Sequence, residues 1–124
     1  MKNPTILILL LLIAASCKKN GTGGKTDITA FTAHHLKPIY GPTVYVKFNA
    51  TELPQNPTDN YDLKVTAESN ENHVHILSLL PGNYYLFATG YDSSFRKQVR
   101  GGIPLKITRK DKDKEVNVDI AVSE

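Results

Sequence analysis

Residues 73–92 read HVHILSLLPGNYYLFATGYD, and this stretch decides the fold of the chain. A run of β-branched and aliphatic residues leads into the turn LPG at 80–82, and an aromatic-rich run leaves it. Pro and Gly reverse a chain, and runs of this composition on either side of them are typical of neighbouring strands. The sequence therefore predicts two adjacent strands, at 74–79 and 84–91.

The rest of the chain has the same β character. Apolar and polar residues alternate in Thr43–Phe48, in 63–68 and in 116–123, which is the pattern of strands with one buried and one wet face. Less regular apolar runs at 28–34 and 103–107 bring the number of predicted strands to seven. Seven short strands separated by turn residues favour an all-β fold, a seven-stranded antiparallel Greek-key β-sandwich.

Two segments resemble a known family. They are 42–46, PTVYV, and 74–86, which contains the Leu-Pro-Gly turn followed by Asn-Tyr-Tyr-Leu. Together they resemble the carboxypeptidase-regulatory-like, transthyretin-like (prealbumin-like) sandwich. The resemblance implies this fold for 27–124 and a non-catalytic accessory or binding role. Hydroxyisourate hydrolases of the same fold end in Tyr-Arg-Gly-Ser, whereas residues 121–124 read AVSE, so that activity is not carried over.

The first residues have the layout of a secretory signal peptide. Lys2 gives a charged start, 6–15 form an apolar run, and small residues precede Cys17. The span 5–16, of about 12 residues or roughly 18 Å as a helix, is too short to cross a hydrocarbon core of about 30 Å. Ala-Ala-Ser-Cys resembles the lipobox of bacterial type II signal peptides, which implies a lipidated Cys17. An ordinary signal peptide with an incidental cysteine is the alternative.

These features predict three parts of the chain. Residues 1–16 are the lipoprotein signal peptide, 17–26 are the lipidated cysteine with a polar, glycine-rich and flexible tether, and 27–124 are the β-sandwich. Lys18 stands where some lipoproteins carry an Asp that retains them in the inner membrane. The resemblance therefore implies a lipid anchor in the outer membrane, with the domain on either its periplasmic or its surface-exposed side.

Composition excludes some functions. The chain has 124 residues, 40% of them hydrophobic, and a formal charge of +3, which is too small an excess for nucleic-acid binding without a basic cluster. The single cysteine cannot form an internal disulfide. Because the sequence lacks the motifs of serine hydrolases and zinc proteases, we expect no enzyme and no cofactor, with a hydrolase as a weak alternative.

Four histidines are candidate metal ligands. His73 and His75 share one face of a strand, because side chains repeat every two residues, so both imidazoles are placed to reach one zinc or copper ion. A third ligand would come from His34 or His35 if the first strand lies close by. The alternative is that all four are surface histidines.

An aromatic stripe is a candidate binding surface. Tyr85, Phe87 and Tyr91 follow one another on one side of the predicted strand, and Tyr45 extends the stripe on another strand. Exposed aromatic rings beside polar groups bind sugar rings or protein partners. The alternative is that a loop covers this face, so that the rings are structural.

The connection at 49–60, NATELPQNPTDN, is longer than a hairpin needs and is the third candidate. Calcium binding by Glu52, Asp59 and Asp62 is conceivable, although their spacing matches no dense set of oxygen ligands. A plain surface loop is the favoured interpretation.

The sequence thus predicts a membrane-anchored lipoprotein whose β-sandwich binds a protein or glycan partner in the envelope. A metal-binding lipoprotein is the alternative.

Overall fold

The computed structural model describes residues 20–124, so the predicted signal peptide and Cys17 lie outside the described residues. Within 20–124 the chain is all-β, as predicted, and it contains no helix long and apolar enough to cross a membrane. The strands are β1 (Thr22–His34), β2 (Lys37–Pro38), β3 (Thr43–Phe48), β4 (Leu63–Thr66), β5 (His73–Leu79), β6 (Gly82–Asp92), β7 (Lys97–Ile107) and β8 (Glu115–Ala121). A single 3-10 turn, Arg109–Asp111, precedes β8.

The strands form two sheets of four strands each. In the first sheet β1 is central, with β5 and β2 along one edge and β8 along the other. The second sheet has the order β4-β3-β6-β7. Since the chain passes repeatedly from one sheet to the other, strands that pair are often distant in sequence, as β1 and β8 are.

The hydrophobic core lies between the two sheets. The alternation predicted for β3 is confirmed, because Val44 and Val46 are fully buried whereas Tyr45 and Lys47 lie on the opposite face of the strand. Both sheets contribute their inner faces to the core, with Ile28, Ala30, Val74, Ile76 and Ile120 from the first and Val44, Val46, Leu86, Ala88 and Val99 from the second.

Two details of the topology differ from the prediction. The described residues form eight strands rather than seven, because Lys37–Pro38 pairs with the end of β1 as a strand of two residues. The pairing is also not antiparallel throughout, since β8 runs parallel to β1 along 27–33. Strand β8 reaches the first sheet from β7 of the second sheet, and a connection between sheets leaves the direction of the strand free.

Strand β1 begins at Thr22, inside the segment 17–26 that the sequence predicts as a flexible tether. Gly24 permits a close backbone contact, because a Cβ at this position would lie 2.1 Å from the carbonyl oxygen of Leu79. Gly23 has a φ of 103°, where the register of β1 against β5 shifts at a bulge. The glycines therefore belong to a bulged strand that lies against β5, and the sandwich begins earlier than residue 27.

Tyr84 ties the start of β1 to the turn between β5 and β6. Its side chain is fully buried, and its hydroxyl accepts a hydrogen bond from the Gly21 N–H at 2.8 Å while donating one to the Leu80 carbonyl. Burial raises the pKa of the Tyr84 phenol, and the hydrogen bond with Gly21 partly opposes this effect. The first described residues are thus held by a neutral phenol in the interior.

We expect Tyr84→Phe to lower the free energy of unfolding by about 1–3 kcal/mol, because it leaves the Gly21 N–H and the Leu80 carbonyl without their buried partner. The loss is measurable by urea denaturation.

The raised pKa of Tyr84 also makes the stability of the domain depend on pH. The stability that the phenol contributes is complete below the ordinary tyrosine pKa of about 10 and falls as the pH rises through the folded-state value. The difference in the free energy of unfolding between wild type and Y84F should therefore narrow as the pH rises through the folded-state pKa of Tyr84.

Tyr91→Phe is the matched control, since the Tyr91 side chain is 49% exposed on the same strand. This variant should unfold within about 0.5 kcal/mol of wild type. Equal stabilities for Y84F and Y91F would show that the buried hydroxyl does not hold the start of β1.

Candidate functional site

The predicted aromatic stripe lies on the outer face of the second sheet, and most of it is covered. Phe87 is only 5% exposed and Tyr45 and Tyr85 are partly buried, whereas Tyr91 is exposed at the end of β6. Tyr45 packs edge-on against Tyr61 from the long loop, with ring centroids 5.2 Å apart. The structure thus places Tyr91 away from a covered group of three rings.

The loop at 49–60 forms this cover. Pro54 and Pro57 lie over Tyr85 and Phe87, and Asp62 holds the end of the loop against β3. One carboxylate oxygen of Asp62 accepts the Phe48 N–H at 2.7 Å and lies 3.7 Å from Lys47 Nζ. Asp62 is therefore engaged in closing the loop, and it does not join Glu52 and Asp59, the other conceivable calcium ligands, in any cluster of ligand atoms found within residues 20–124.

A recess of about 530 Å³ opens beside the covered rings. It lies beside two glycines of β7, Gly101 and Gly102, and Gly102 is the cross-strand partner of Phe87. A Cβ at Gly102 would lie 2.5 Å from the Tyr85 ring, and one at Gly101 would lie 2.3 Å from the Ala121 carbonyl oxygen. Side chains around the recess come from the loop, β6, β7 and the last residues, namely Leu53, Pro54, Asn56, Pro57, Thr58, Phe87, Arg100, Ser123 and Glu124.

The last residues close one side of this recess. Beyond β8 the chain crosses to the second sheet, where Arg100 and Ser123 exchange backbone hydrogen bonds of 2.8 and 2.9 Å. This exchange brings the Glu124 side chain next to both the recess and the end of β1.

Besides the recess, four polar side chains form a group that we call the His34 cluster: His34, His35, Asp92 and Glu124. His34 is the last residue of β1 and is 1% exposed. Its Nδ1 lies 2.7 Å from Asp92 Oδ2, and its Nε2 lies 3.5 Å from Glu124 Oε2. The exposed His35 ring lies against the His34 ring with centroids 4.1 Å apart. Two imidazoles and two carboxylates therefore meet at one end of the sandwich.

Asp92 is held as a carboxylate by several donors. The hydrogen bond from His34 lowers the pKa of Asp92 most strongly, burial opposes this, and the N–H groups of Phe95 and Ser94 lower it further. Those N–H groups bind Oδ1 at 3.3 and 2.9 Å, which leaves Oδ2 for His34. An ionised Asp92 accepts a hydrogen bond from His34 Nδ1–H, so that His34 Nε2 is the nitrogen available for other partners.

The turn after β1 presents His35 in an uncommon conformation. His35 and Leu36 have φ values of 52° and 66°, and the flanking residues His34 and Lys37 pair across the hairpin. Two positive φ angles are typical of the tight hairpin turn that usually carries Asn or Gly. Leu36 is 99% exposed, so no packing of its side chain compensates for this strain.

The other two histidines lie elsewhere. His73 and His75 do share the outer face of β5 as predicted, with ring centroids 5.0 Å apart. His75 Nδ1 contacts the Thr29 hydroxyl at 3.2 Å, and His73 Nε2 lies 3.8 Å from Glu71 Oε2. The one set of three potential ligands within residues 20–124 is His34, His35 and Glu124, so the structure divides the predicted four histidines into two separate pairs.

Sequence reasoning missed Asp92, Glu124 and the two glycines. Asp92 and the two serines after it form a turn in which the Asp92 carboxylate accepts the N–H groups of Ser94 and Phe95. Consecutive glycines within a strand signal close backbone approach, and Gly101 and Gly102 could have been noticed on that ground. Nothing in the local pattern pairs Glu124 with His34, because 90 residues separate them in the chain.

Comparison of the chain with protein-family models, curated proteins and solved structures finds no match in any of the three.

We predict that Phe87→Ala destabilises the domain by about 3 kcal/mol, because it leaves a cavity between the loop and the second sheet. Thermal or urea unfolding measures this loss. An exposed binding ring would instead give a variant of unchanged stability.

Tyr91→Ala provides the control on the same strand. Since Tyr91 is exposed, its truncation should change the free energy of unfolding by no more than about 0.5 kcal/mol. If F87A were as stable as Y91A, the loop would not cover the stripe in solution.

Proposed function

We propose that the chain is a lipid-anchored envelope protein with a non-enzymatic binding module, and that the recess beside Phe87 is its binding site. The recess itself is the observation that supports this role most strongly. It is concave, it lies on the flank of the second sheet, and its volume is in the range of small-ligand sites, which runs from about 300 to 1,000 Å³.

The chemistry around the recess suits a sugar ring. Pro54 and Pro57 offer apolar surface beside the nearly buried Phe87, and Asn56 and Arg100 supply donors at the rim of the recess. A sugar has the same combination of an apolar face and a ring of hydroxyl groups. We therefore infer a glycan of the cell envelope as the ligand class, with an extended protein segment as the alternative.

The direction of the strands supports anchoring through Cys17. The described chain enters the sandwich at Asn20 beside the β5–β6 turn, since Asn20 Oδ1 accepts the Asn83 N–H at 3.1 Å. Strand β1 then runs 13 residues, or about 40 Å at about 3.3 Å per residue, to His34. A lipid on Cys17 would hold the entry end near the membrane and direct the His34 end away from it. The outer membrane remains our proposal for the membrane involved.

We further infer a transthyretin-like Greek-key topology. Three features support this topology. They are the two facing sheets, the repeated passage of the chain between them, and the Pro81-Gly82 turn that leads to the buried Tyr84 in β6. An experimental structure of the domain that superimposes on transthyretin-like sandwiches strand for strand would test this. A different strand order would contradict it.

The binding proposal predicts that Arg100→Ala and Asn56→Gly each weaken the binding of soluble envelope glycan fragments from the native host. Loss of a charged hydrogen bond at Arg100 should reduce affinity about tenfold in calorimetric titration. Glycine is chosen at 56 because Asn56 has a φ of 52°, which glycine adopts without strain.

Arg109→Ala is the matched control, because Arg109 belongs to the turn before β8 at the opposite end of the sandwich. It should bind the same fragments as wild type does. Equal affinity of R100A, N56G and R109A for every fragment would contradict a ligand site in the recess.

Anchoring has its own test. In cells of the native host, the wild-type chain should incorporate labelled fatty acid and partition into the detergent phase, whereas Cys17→Ser should do neither. Cys17 is the single cysteine of the chain, so no other thiol can take its place. Membrane retention of the C17S variant together with the label would contradict lipidation at this residue.

A further inference from the structure

The His34 side chain is oriented by its buried contacts. Nδ1 is 2.7 Å from Asp92 Oδ2, and the edge of the Phe95 ring lies against the imidazole with centroids 5.4 Å apart. These contacts leave Nε2 directed at Glu124. A carboxylate that holds the far nitrogen of a histidine is the usual outer partner of a histidine metal ligand.

The distance between His34 Nε2 and Glu124 Oε2 is 3.5 Å. This exceeds the usual N–H···O range of about 2.7–3.2 Å. It agrees with tetrahedral zinc, in which bonds of about 2.0–2.2 Å place neighbouring ligand atoms about 3.3–3.5 Å apart. One ligand nitrogen of His35 completes the set, since the three ligand atoms all lie within 4.8 Å of one another.

We propose that His34, His35 and Glu124 bind a divalent transition-metal ion, and that Asp92 is a positioning residue that orients His34. Two imidazole nitrogens and one carboxylate oxygen suit zinc or copper and suit calcium or magnesium poorly. Three protein ligands leave a fourth coordination position open, as in sites that accept a water or an outside ligand. This inference does not depend on the recess binding a glycan.

The hairpin turn supports the proposal. His35 has a positive φ and its ring lies beside that of His34, while the neighbouring Leu36 projects into solvent. Strained backbone at a residue with chemical capacity is the pattern expected where a side chain is held for function. His35 and Glu124 are accessible, so an ion can reach the site without opening the core.

The test is calorimetric titration of Zn²⁺ into the full chain, purified in detergent without a histidine tag. We expect wild type to bind one zinc ion with a dissociation constant of roughly micromolar or below. His35→Asn and Glu124→Gln should each weaken binding about tenfold or more, and Asp92→Asn by about ten- to a hundredfold through loss of orientation. Asparagine is chosen at 35 because it tolerates the positive φ.

Two control variants separate this site from others. The double variant His73→Gln/His75→Gln removes the second histidine pair, and Arg109→Ala removes a cation from the turn before β8 without touching a proposed ligand. Both should bind zinc as wild type does. Thermal unfolding of each variant without zinc shows whether it is folded, so the exposed H35N and E124Q carry the conclusion if D92N is unstable.

The proposal is overturned if wild type binds no zinc at about 100 µM. It is equally overturned if the affinity of H35N and E124Q equals that of wild type, or if binding disappears only in the His73/His75 variant. Imidazole NMR signals give a second readout, because zinc should shift those of His34 and His35 and leave those of His73 and His75 in place.

Discussion

Strand β6 of the second sheet holds both ends of β1 in the first sheet. Near the start, the Tyr84 hydroxyl accepts the Gly21 N–H, and at the end Asp92 accepts a hydrogen bond from His34. Apolar contacts between the two sheets have no preferred direction, so they alone do not define how one sheet lies over the other. Two buried polar links with fixed geometry do define it.

The two links differ in their consequences. Tyr84 is neutral and joins backbone groups, so its contribution is that of buried hydrogen bonds. Asp92 is ionised and its partner His34 is 1% exposed, so removal of either leaves one buried atom of the other, Asp92 Oδ2 or His34 Nδ1, without its hydrogen-bond partner. The link at the Asp92 end is therefore the more costly one to lose. The Asp92–His34 link also leaves one nitrogen of His34 facing the surface residues His35 and Glu124. The Tyr84 link has no such free ring atom.

The sequence predicted what depends on local periodicity. Alternation in β3 and the turn before Tyr84 gave the all-β class and the inner faces of the sheets. The sequence pattern did not predict that Gly24 packs closely against the backbone of β5, because composition alone does not distinguish a flexible glycine from a tightly packed one. The cover over Phe87 and the meeting of Glu124 with His34 depend on where distant segments lie, and a period-two pattern carries no such information. That His73 and His75 share one face was predicted correctly, because this depends on one strand alone.

His34 both joins the two sheets and is a proposed metal ligand, so not every substitution at the site tests metal binding alone. A metal ion that binds only the folded chain adds stability with its concentration, by about 2.7 kcal/mol at a hundred times the dissociation constant. Since Asp92 and His34 already join the two sheets, changes in them alter the fold and the proposed ligand set together. His35 and Glu124 lie outside that link, on the turn and at the crossing of the last residues. Substitution at these two positions therefore separates the binding of an ion from the alignment of the sheets.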